Sequence, residues 1–163
     1  VMVYLRLTGG SDLVLREYEL DAIVRRAVRR FAGEFIGRKL KLCYEPLNVS
    51  CVTDEKWLLF VIEQVLSNAL KYTRAGSITI ELEAPKTLVI RDTGIGVAPE
   101  DLPRIFEKGY TGYNGRGDQK ASGLGLYLCR TICKRLGHTI TASSVPDHGT
   151  AIRITLEQRQ VRE

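Results

Sequence analysis

The feature that most limits how this chain can fold is an apolar stripe between Asp54 and Tyr72. Leu58, Ile62, Val65, Leu66 and Ala69 recur at helical spacing. That spacing predicts a long amphipathic helix with one buried face. Asp54 stands where an N-cap is needed. A second row runs beside the first: Gln64, Asn68, Lys71 and Tyr72. A polar row flanking a buried one can line a cleft. Asn68 offers an oxygen to a hard cation such as Mg²⁺, Lys71 can meet a phosphate, and Tyr72 can pack on a base. Taken alone, the row reads first as a solvated helix edge.

The elements around this helix mix strands and helices. Leu13 to Leu20 alternates as a strand, and Asp21 is placed to cap a helix reaching about Arg38. Lys41 to Leu47 and Ser50 to Thr53 read as two short strands. Ser77 to Glu83 and Thr87 to Arg91 are rich in β-branched residues and are joined by a turn at Ala84-Pro85-Lys86. Asp92 to Gly123 is rich in Gly and polar residues, with one short helical stretch near Pro99 to Phe106. Long insertions of this kind are usually functional. Leu124 to Leu136 returns to helix and is stopped by Gly137. His138 to Ser144 and Thr150 to Leu156 form a final pair of strands, and the tail after Glu157 is polar and frayed. The expected fold is a two-layer α/β sandwich, one mixed sheet covered on one face by three main helices.

With 163 residues and 44% hydrophobic content, the chain suits one domain with a real core. No apolar run approaches the roughly 18 residues of a membrane span. The net charge is +5. Its densest cluster, Arg25, Arg26, Arg29 and Arg30, lies in a helical pattern with Ile23, Val24, Ala27, Val28 and Phe31, and reads as a solvated helix face. No aromatic residues are interleaved for base stacking, and no nucleic-acid partner is expected. Cys43, Cys51, Cys129 and Cys133 form no C-x-x-C pair. With only two histidines beside them they read as buried free thiols rather than a zinc site.

Two further segments carry chemistry. Asp92-Thr93-Gly94-Ile95-Gly96 directly follows the strand of Leu88, Val89 and Ile90. A carboxylate at a strand end can accept a hydrogen bond from an exocyclic amine, as adenine has. The two glycines let the backbone approach a flat ligand. Alone, the segment could equally be a turn. Ser122-Gly123-Leu124-Gly125-Leu126 opens a helix, where backbone N–H groups and the helix dipole favour an anion; alone, it could equally be a glycine-softened helix start. It lacks the Gly-Lys-Ser/Thr of a P-loop, and no strand leads into it as in a dinucleotide fingerprint.

In this order the three segments resemble the GHKL superfamily of ATP-binding domains. Its N box matches QVLSNALKYT (64–73), its G1 box DTGIG (92–96), its F box RIFEKGYTG (104–112) and its G2 box SGLGLYL (122–128), and its last Gly-Thr motif matches Gly149-Thr150. Within the superfamily the chain is most similar to the catalytic domain of bacterial sensor histidine kinases, in particular the short-sensor, envelope-stress kinases of Firmicutes that respond to antimicrobial peptides. The resemblance implies a Bergerat-type fold with a long ATP lid from about Glu100 to Ala121. It implies ATP and Mg²⁺ as ligands, with Asn68 on the metal, Lys71 on phosphate and Tyr72 beside the base. Asp92 would take the adenine amine. Gly94 and Gly96 would allow that approach, and Ile95 with Ile105 or Phe106 would give apolar walls. Lys108, Arg116 and Lys120 become candidate phosphate contacts and Tyr110 a further lid contact. Gly123, Leu124, Gly125 and Leu126 would cradle the triphosphate, and Thr150 would close the adenine side.

The resemblance also fixes an expected organisation. Residues 1–10 would be the remnant of an upstream dimerisation and phosphoacceptor hairpin, 11–158 the catalytic ATP-binding domain and 159–163 a tail. The partners implied are that hairpin and a response regulator. The isolated domain would be a monomer, and the full protein a homodimer anchored in the cell membrane with this domain in the cytoplasm. In the ATP-hydrolysing members a Glu four residues before the Asn serves as general base. Here that position is Gln64, which takes no proton at neutral pH. Glu63 is turned about 100° around the helix. Such a site suits transfer to another acceptor rather than to water; the alternatives are a GHKL-type ATPase or switch, and a nucleotide-binding module without transfer activity. Neither histidine reads as that acceptor: His138 starts a strand and His148 lies in a Pro-Asp-His-Gly turn.

Overall fold

The computed structural model describes residues 13–110 and 125–156. The elements run β1 (Arg16–Glu19), α1 (Leu20–Arg38), β2 (Lys41–Tyr44), β3 (Ser50–Thr53), α2 (Glu55–Tyr72), β4 (Ser77–Glu83), β5 (Thr87–Asp92), a 3₁₀ turn (Leu102–Arg104), α3 (Gly125–Leu136), β6 (Thr139–Val145) and β7 (Gly149–Thr155). Five strands make one sheet in the order β2-β4-β5-β7-β6. Only β2 and β4 are parallel. The three helices pack on this mixed sheet, giving the expected α/β sandwich. One addition was not foreseen: β1 and β3 form a separate antiparallel ribbon.

Strand pairing explains the core. Ile80 faces Ile90, Ile90 faces Ile152, and Leu88 and Ile140 both face Ile154. These residues are buried. The opposite face of the sheet carries charge. Arg91 pairs with Glu81 at 2.6 Å, and Arg153 reaches Glu83 at 3.2 Å. Val89 faces Glu81 and Arg153 across the strands yet is 0% exposed. The stems of the long charged side chains shield it from water.

Helix α2 is the spine. Trp57, Leu58, Val61, Ile62, Val65, Leu66, Ala69 and Leu70 are its buried residues, and they include the whole stripe read from the sequence. Asp54 caps it as expected, accepting from the Trp57 N–H at 3.1 Å. The other Asp54 oxygen accepts from the Val14 N–H at 2.8 Å, tying the chain ahead of β1 to the start of this helix. The arginine cluster on α1 is largely an ion-paired seam. Arg25 meets Asp21, Arg26 meets Glu55, and Arg30 meets Glu63.

Two local expectations are corrected. Helix α1 starts at Leu20, one residue before Asp21, and its cap Glu19 makes no side-chain capping bond. Asp21 instead accepts from the Tyr44 hydroxyl and from the Leu47 N–H, pinning the loop after β2. The stretch Pro99 to Phe106 forms only a three-residue 3₁₀ turn. Pro103 has no N–H to give to the backbone ladder of a longer helix. The four cysteines are free, and all but the half-buried Cys43 are buried.

His138 is structural. It is 5% exposed and its Nε2 lies 3.0 Å from the Thr53 hydroxyl. Burial pushes its pKa down from 6.5 to about 4. The unfolded chain therefore binds a proton between those values that the folded chain refuses. Stability should fall as pH drops from about 6.5 toward 4, by at most about 1.4 kcal/mol per pH unit from this group. Urea unfolding of the His138→Gln variant should show a shallower loss over that window, and an unchanged pH slope would clear His138 of the effect. Asp54→Ala, which removes a cap and the Val14 anchor together, should cost about 2 kcal/mol in the same assay.

Candidate nucleotide-binding site

The polar row of α2 forms one wall of a cavity of about 730 Å³. That is ample room for a small-molecule ligand. Gln64, Ser67, Asn68, Lys71 and Tyr72 line this wall, and Arg74 follows just beyond the helix. Val65, Ala69, Ile90 and Ile152 contribute apolar surface. Asp92 and Thr150 enter from neighbouring strands. Ile95, Gly96, Val97 and Ala98 come from the loop after β5. Asp101, Ile105 and Tyr110 close another side, Gly125 and Leu126 come from the start of α3, and Pro146 and Asp147 come from the turn before β7.

Asp92 ends β5 with its side chain in this cavity. Its Oδ1 accepts from the Gly94 N–H at 2.9 Å and from the Thr150 N–H at 3.2 Å. Both donors use the same oxygen, which leaves Oδ2 to a ligand. Burial raises the carboxyl pKa, and the two backbone N–H groups partly offset this. A raised folded pKa means that the ionised form costs stability at neutral pH, a cost relieved as pH falls. A ligand donor at Oδ2 would favour the ionised form. Ligand affinity should then weaken as pH falls toward the raised pKa.

The loop after β5 is pressed against its surroundings. A Cβ at Gly94 would run into the Tyr72 carbonyl, and one at Gly96, where φ is +75°, into the Val145 carbonyl. The Ile95 N–H donates to the Tyr72 carbonyl at 3.1 Å, and the Ile95 carbonyl accepts from the Asp147 N–H at 2.7 Å. The loop is thus stitched to the end of α2 on one side and to the β6–β7 turn on the other. Ser144 adds a third stitch, since its Oγ accepts from the Val97 N–H at 2.7 Å.

Most of the residues singled out from the sequence meet here. Asn68, Lys71, Tyr72, Asp92, Ile95, Gly96, Tyr110, Gly125, Leu126 and Thr150 line the cavity. Gly94 stands behind it, serving the loop rather than the surface. Between the two apolar candidates, Ile105 is on the wall while Phe106 is buried in the hydrophobic core. Lys108 is not in the lining, and its ammonium sits 5.9 Å from the Tyr127 ring. Arg116, Lys120, Gly123 and Leu124 lie outside the described residues, as does the second half of the expected lid. Sequence reasoning did not single out Arg74, Asp101, Asp147 or Ser144. The first three sit in turns or loops with no periodicity to expose them, and Ser144 acts from a strand whose alternation looks like any other.

No group of three or more His, Cys, Asp or Glu among the described residues could hold a metal. Residues 53–160 match the family described as Histidine kinase-, DNA gyrase B-, and HSP90-like ATPase.

The chain belongs to this family.

Relatives of this histidine kinase-like ATPase domain include Sensor histidine kinase YxdK of Bacillus subtilis, 34% identical over 158 residues, or 88% of this chain and 48% of that protein. Sensor histidine kinase GraS of Staphylococcus haemolyticus is 34% identical over 160 residues, 96% of this chain and 44% of that protein. The chain thus spans less than half the length of these curated relatives. Among solved structures, full-length ShkA in complex with AMPPNP superposes with a TM-score of 0.80 at 21% identity, over 94% of this chain and 33% of that one. The nucleotide-free catalytic domain of histidine kinase ThkA superposes at 0.76 and 20% identity, over 88% of this chain and 97% of that one. At these identities the likeness is one of fold.

Asp92→Asn tests the site directly. The amide oxygen can keep the Gly94 and Thr150 bonds, which puts the NH₂ where Oδ2 was and sets donor against donor. Thermal stability should hold while ATP affinity falls about tenfold or more. Unchanged affinity by calorimetry would remove Asp92 from the base contact.

Proposed function

We propose that this domain binds Mg·ATP and passes the γ-phosphoryl group to a histidine on an upstream dimeric hairpin of the same protein, as the catalytic domain of a sensor histidine kinase. Residues 11–158 would be that catalytic domain, with residues 1–10 belonging to the hairpin. A response regulator would then take the phosphoryl group. The whole protein would be a membrane-anchored homodimer with this domain in the cytoplasm. Among the described residues, no helix is long and apolar enough to cross a membrane. The relatives named as sensor histidine kinases support this reading.

The observation that carries the proposal is the character of the α2 wall around Asn68. Gln64 occupies the position one turn before Asn68 and approaches Gly125 at the start of α3. A Cβ at Gly125 would come within 2.9 Å of the Gln64 Oε1. An amide there can hold a water or a phosphate oxygen but cannot take a proton. Glu63, the neighbouring carboxylate, is absent from the lining and accepts from Arg30 at 2.7 Å. The carboxylates that do line the cavity are Asp92, Asp101 and Asp147. None of them is on α2.

Transfer to an imidazole needs no such base on α2. The unprotonated nitrogen of a neutral imidazole bonds to the γ-phosphorus as the bond to the β,γ-bridging oxygen breaks and ADP leaves, and the proton on the other ring nitrogen passes to water or to a base beside the histidine. Catalysis then comes from positioning and charge neutralisation. Mg²⁺ would supply charge neutralisation between the phosphates, held on the protein side by Asn68. Lys71 would add positive charge beside it.

The test is phosphoryl transfer from γ-labelled ATP to a histidine hairpin joined upstream of this chain. Acid-labile, base-stable label on the hairpin is expected. Its absence with a folded, ATP-binding domain would count against the transferase reading. Asn68→Ala should abolish Mg²⁺-dependent transfer, and full activity would remove Asn68 from the metal role. Gln64→Glu should raise acceptor-free phosphate release by about tenfold or more. An unchanged rate would mean that Gln64 is not what holds hydrolysis back.

A further inference from the structure

Ser144, on β6, makes three polar contacts around one oxygen. Its Oγ accepts from the Val97 N–H at 2.7 Å, donates to the Gly149 carbonyl at 2.9 Å, and lies 2.9 Å from the Thr150 Oγ1. A serine hydroxyl has one proton and two lone pairs. The Val97 N–H can only donate and the Gly149 carbonyl can only accept. A single arrangement therefore satisfies all three contacts: Ser144 gives its proton to Gly149, and Thr150 gives its proton to Ser144. Thr150 then shows only lone pairs to the cavity it lines.

Thr150 is next to Asp92, since its own N–H donates to the Asp92 Oδ1 at 3.2 Å. The two side-chain groups at this end of the cavity are thus both acceptors. They complement a ring substituent that donates, such as an exocyclic amine, and oppose one that accepts, such as a ring carbonyl. Without Ser144 the Thr150 hydroxyl could turn its proton into the cavity and take either.

We propose that Ser144 is a positioning residue for base selectivity, holding the Thr150 hydroxyl as an acceptor so that the site prefers a 6-amino over a 6-oxo purine nucleotide. The inference rests on the nucleotide-binding reading above. It is separate from the Val97 contact, whose loss would loosen the loop and weaken all nucleotides alike.

The discriminating pair is ATP and inosine triphosphate, which differ only at the ring edge: amine against carbonyl, with the N1 proton that accompanies it. Calorimetric titration of the 163-residue chain with each, in Mg²⁺, gives an affinity ratio. The wild-type chain should prefer ATP. Ser144→Ala should narrow the ratio by roughly fivefold to tenfold, and Ser144→Thr, which keeps the hydroxyl, should preserve it. Thr150→Val removes the acceptor itself and should narrow the ratio too, which keeps the test open if Ser144→Ala folds poorly. An unchanged ratio in Ser144→Ala, or equal weakening of both nucleotides, would overturn the role of Ser144 while leaving ATP binding intact. Binding of neither nucleotide by a folded wild-type chain would overturn the nucleotide reading and this inference with it.

Discussion

A carboxylate taken out of water at the end of a strand needs donors, and the way Asp92 finds them organises this domain. One donor is the Gly94 N–H, two residues on, and the other is the Thr150 N–H, from the next strand of the sheet. Both reach Oδ1, so a single half-buried oxygen fixes the turn after β5 and the relation of β5 to the start of β7. Burying a charged group with incomplete partners is costly, and the raised pKa of Asp92 is the signature of that cost. The remaining oxygen can recover part of it by accepting a hydrogen bond from a ligand.

The loop that follows depends on this anchor and on close packing. Gly94 and Gly96 let the backbone lie against the Tyr72 and Val145 carbonyls, where a side chain would collide. Helix α2 meets the loop from the other side. Its apolar face is locked into the core, so the polar row on its flank is held at a fixed height above the sheet. Asp54 ties the start of α2 to Val14, and Tyr72 at its far end binds the Ile95 N–H. The result is a wall bearing Gln64, Asn68 and Lys71 opposite a loop whose shape is set by backbone contacts.

Much of this was legible in the residues, for a physical reason in each case. The apolar row from Leu58 to Ala69 has helical periodicity because it is buried, and the strands around Ile78, Leu88 and Ile152 are β-branched because they fill a sheet face. The glycines at 94 and 96 stood out because few other residues could occupy those places. The short helix expected near Pro99 shrinks to a 3₁₀ turn because Pro103 cannot donate to the backbone ladder. Asp21 looked like a cap, but its neighbours in sequence do not reveal Tyr44 or Leu47, which reach it from other elements. Ser144, Arg74 and Asp147 were invisible for the same reason: their significance lies in which strand end or turn the fold brings beside them, and no local pattern encodes that.

On the proposed function, the cavity beside Asp92 would take an adenine nucleotide with its magnesium. Calorimetric titration of this chain with a non-hydrolysable ATP analogue, with and without Mg²⁺ and against the matching guanine nucleotide, tests it most directly. The account predicts saturable one-to-one binding that strengthens with Mg²⁺ and clearly favours adenine. Equal affinity for the guanine nucleotide, or no heat of binding from a folded sample, would contradict it.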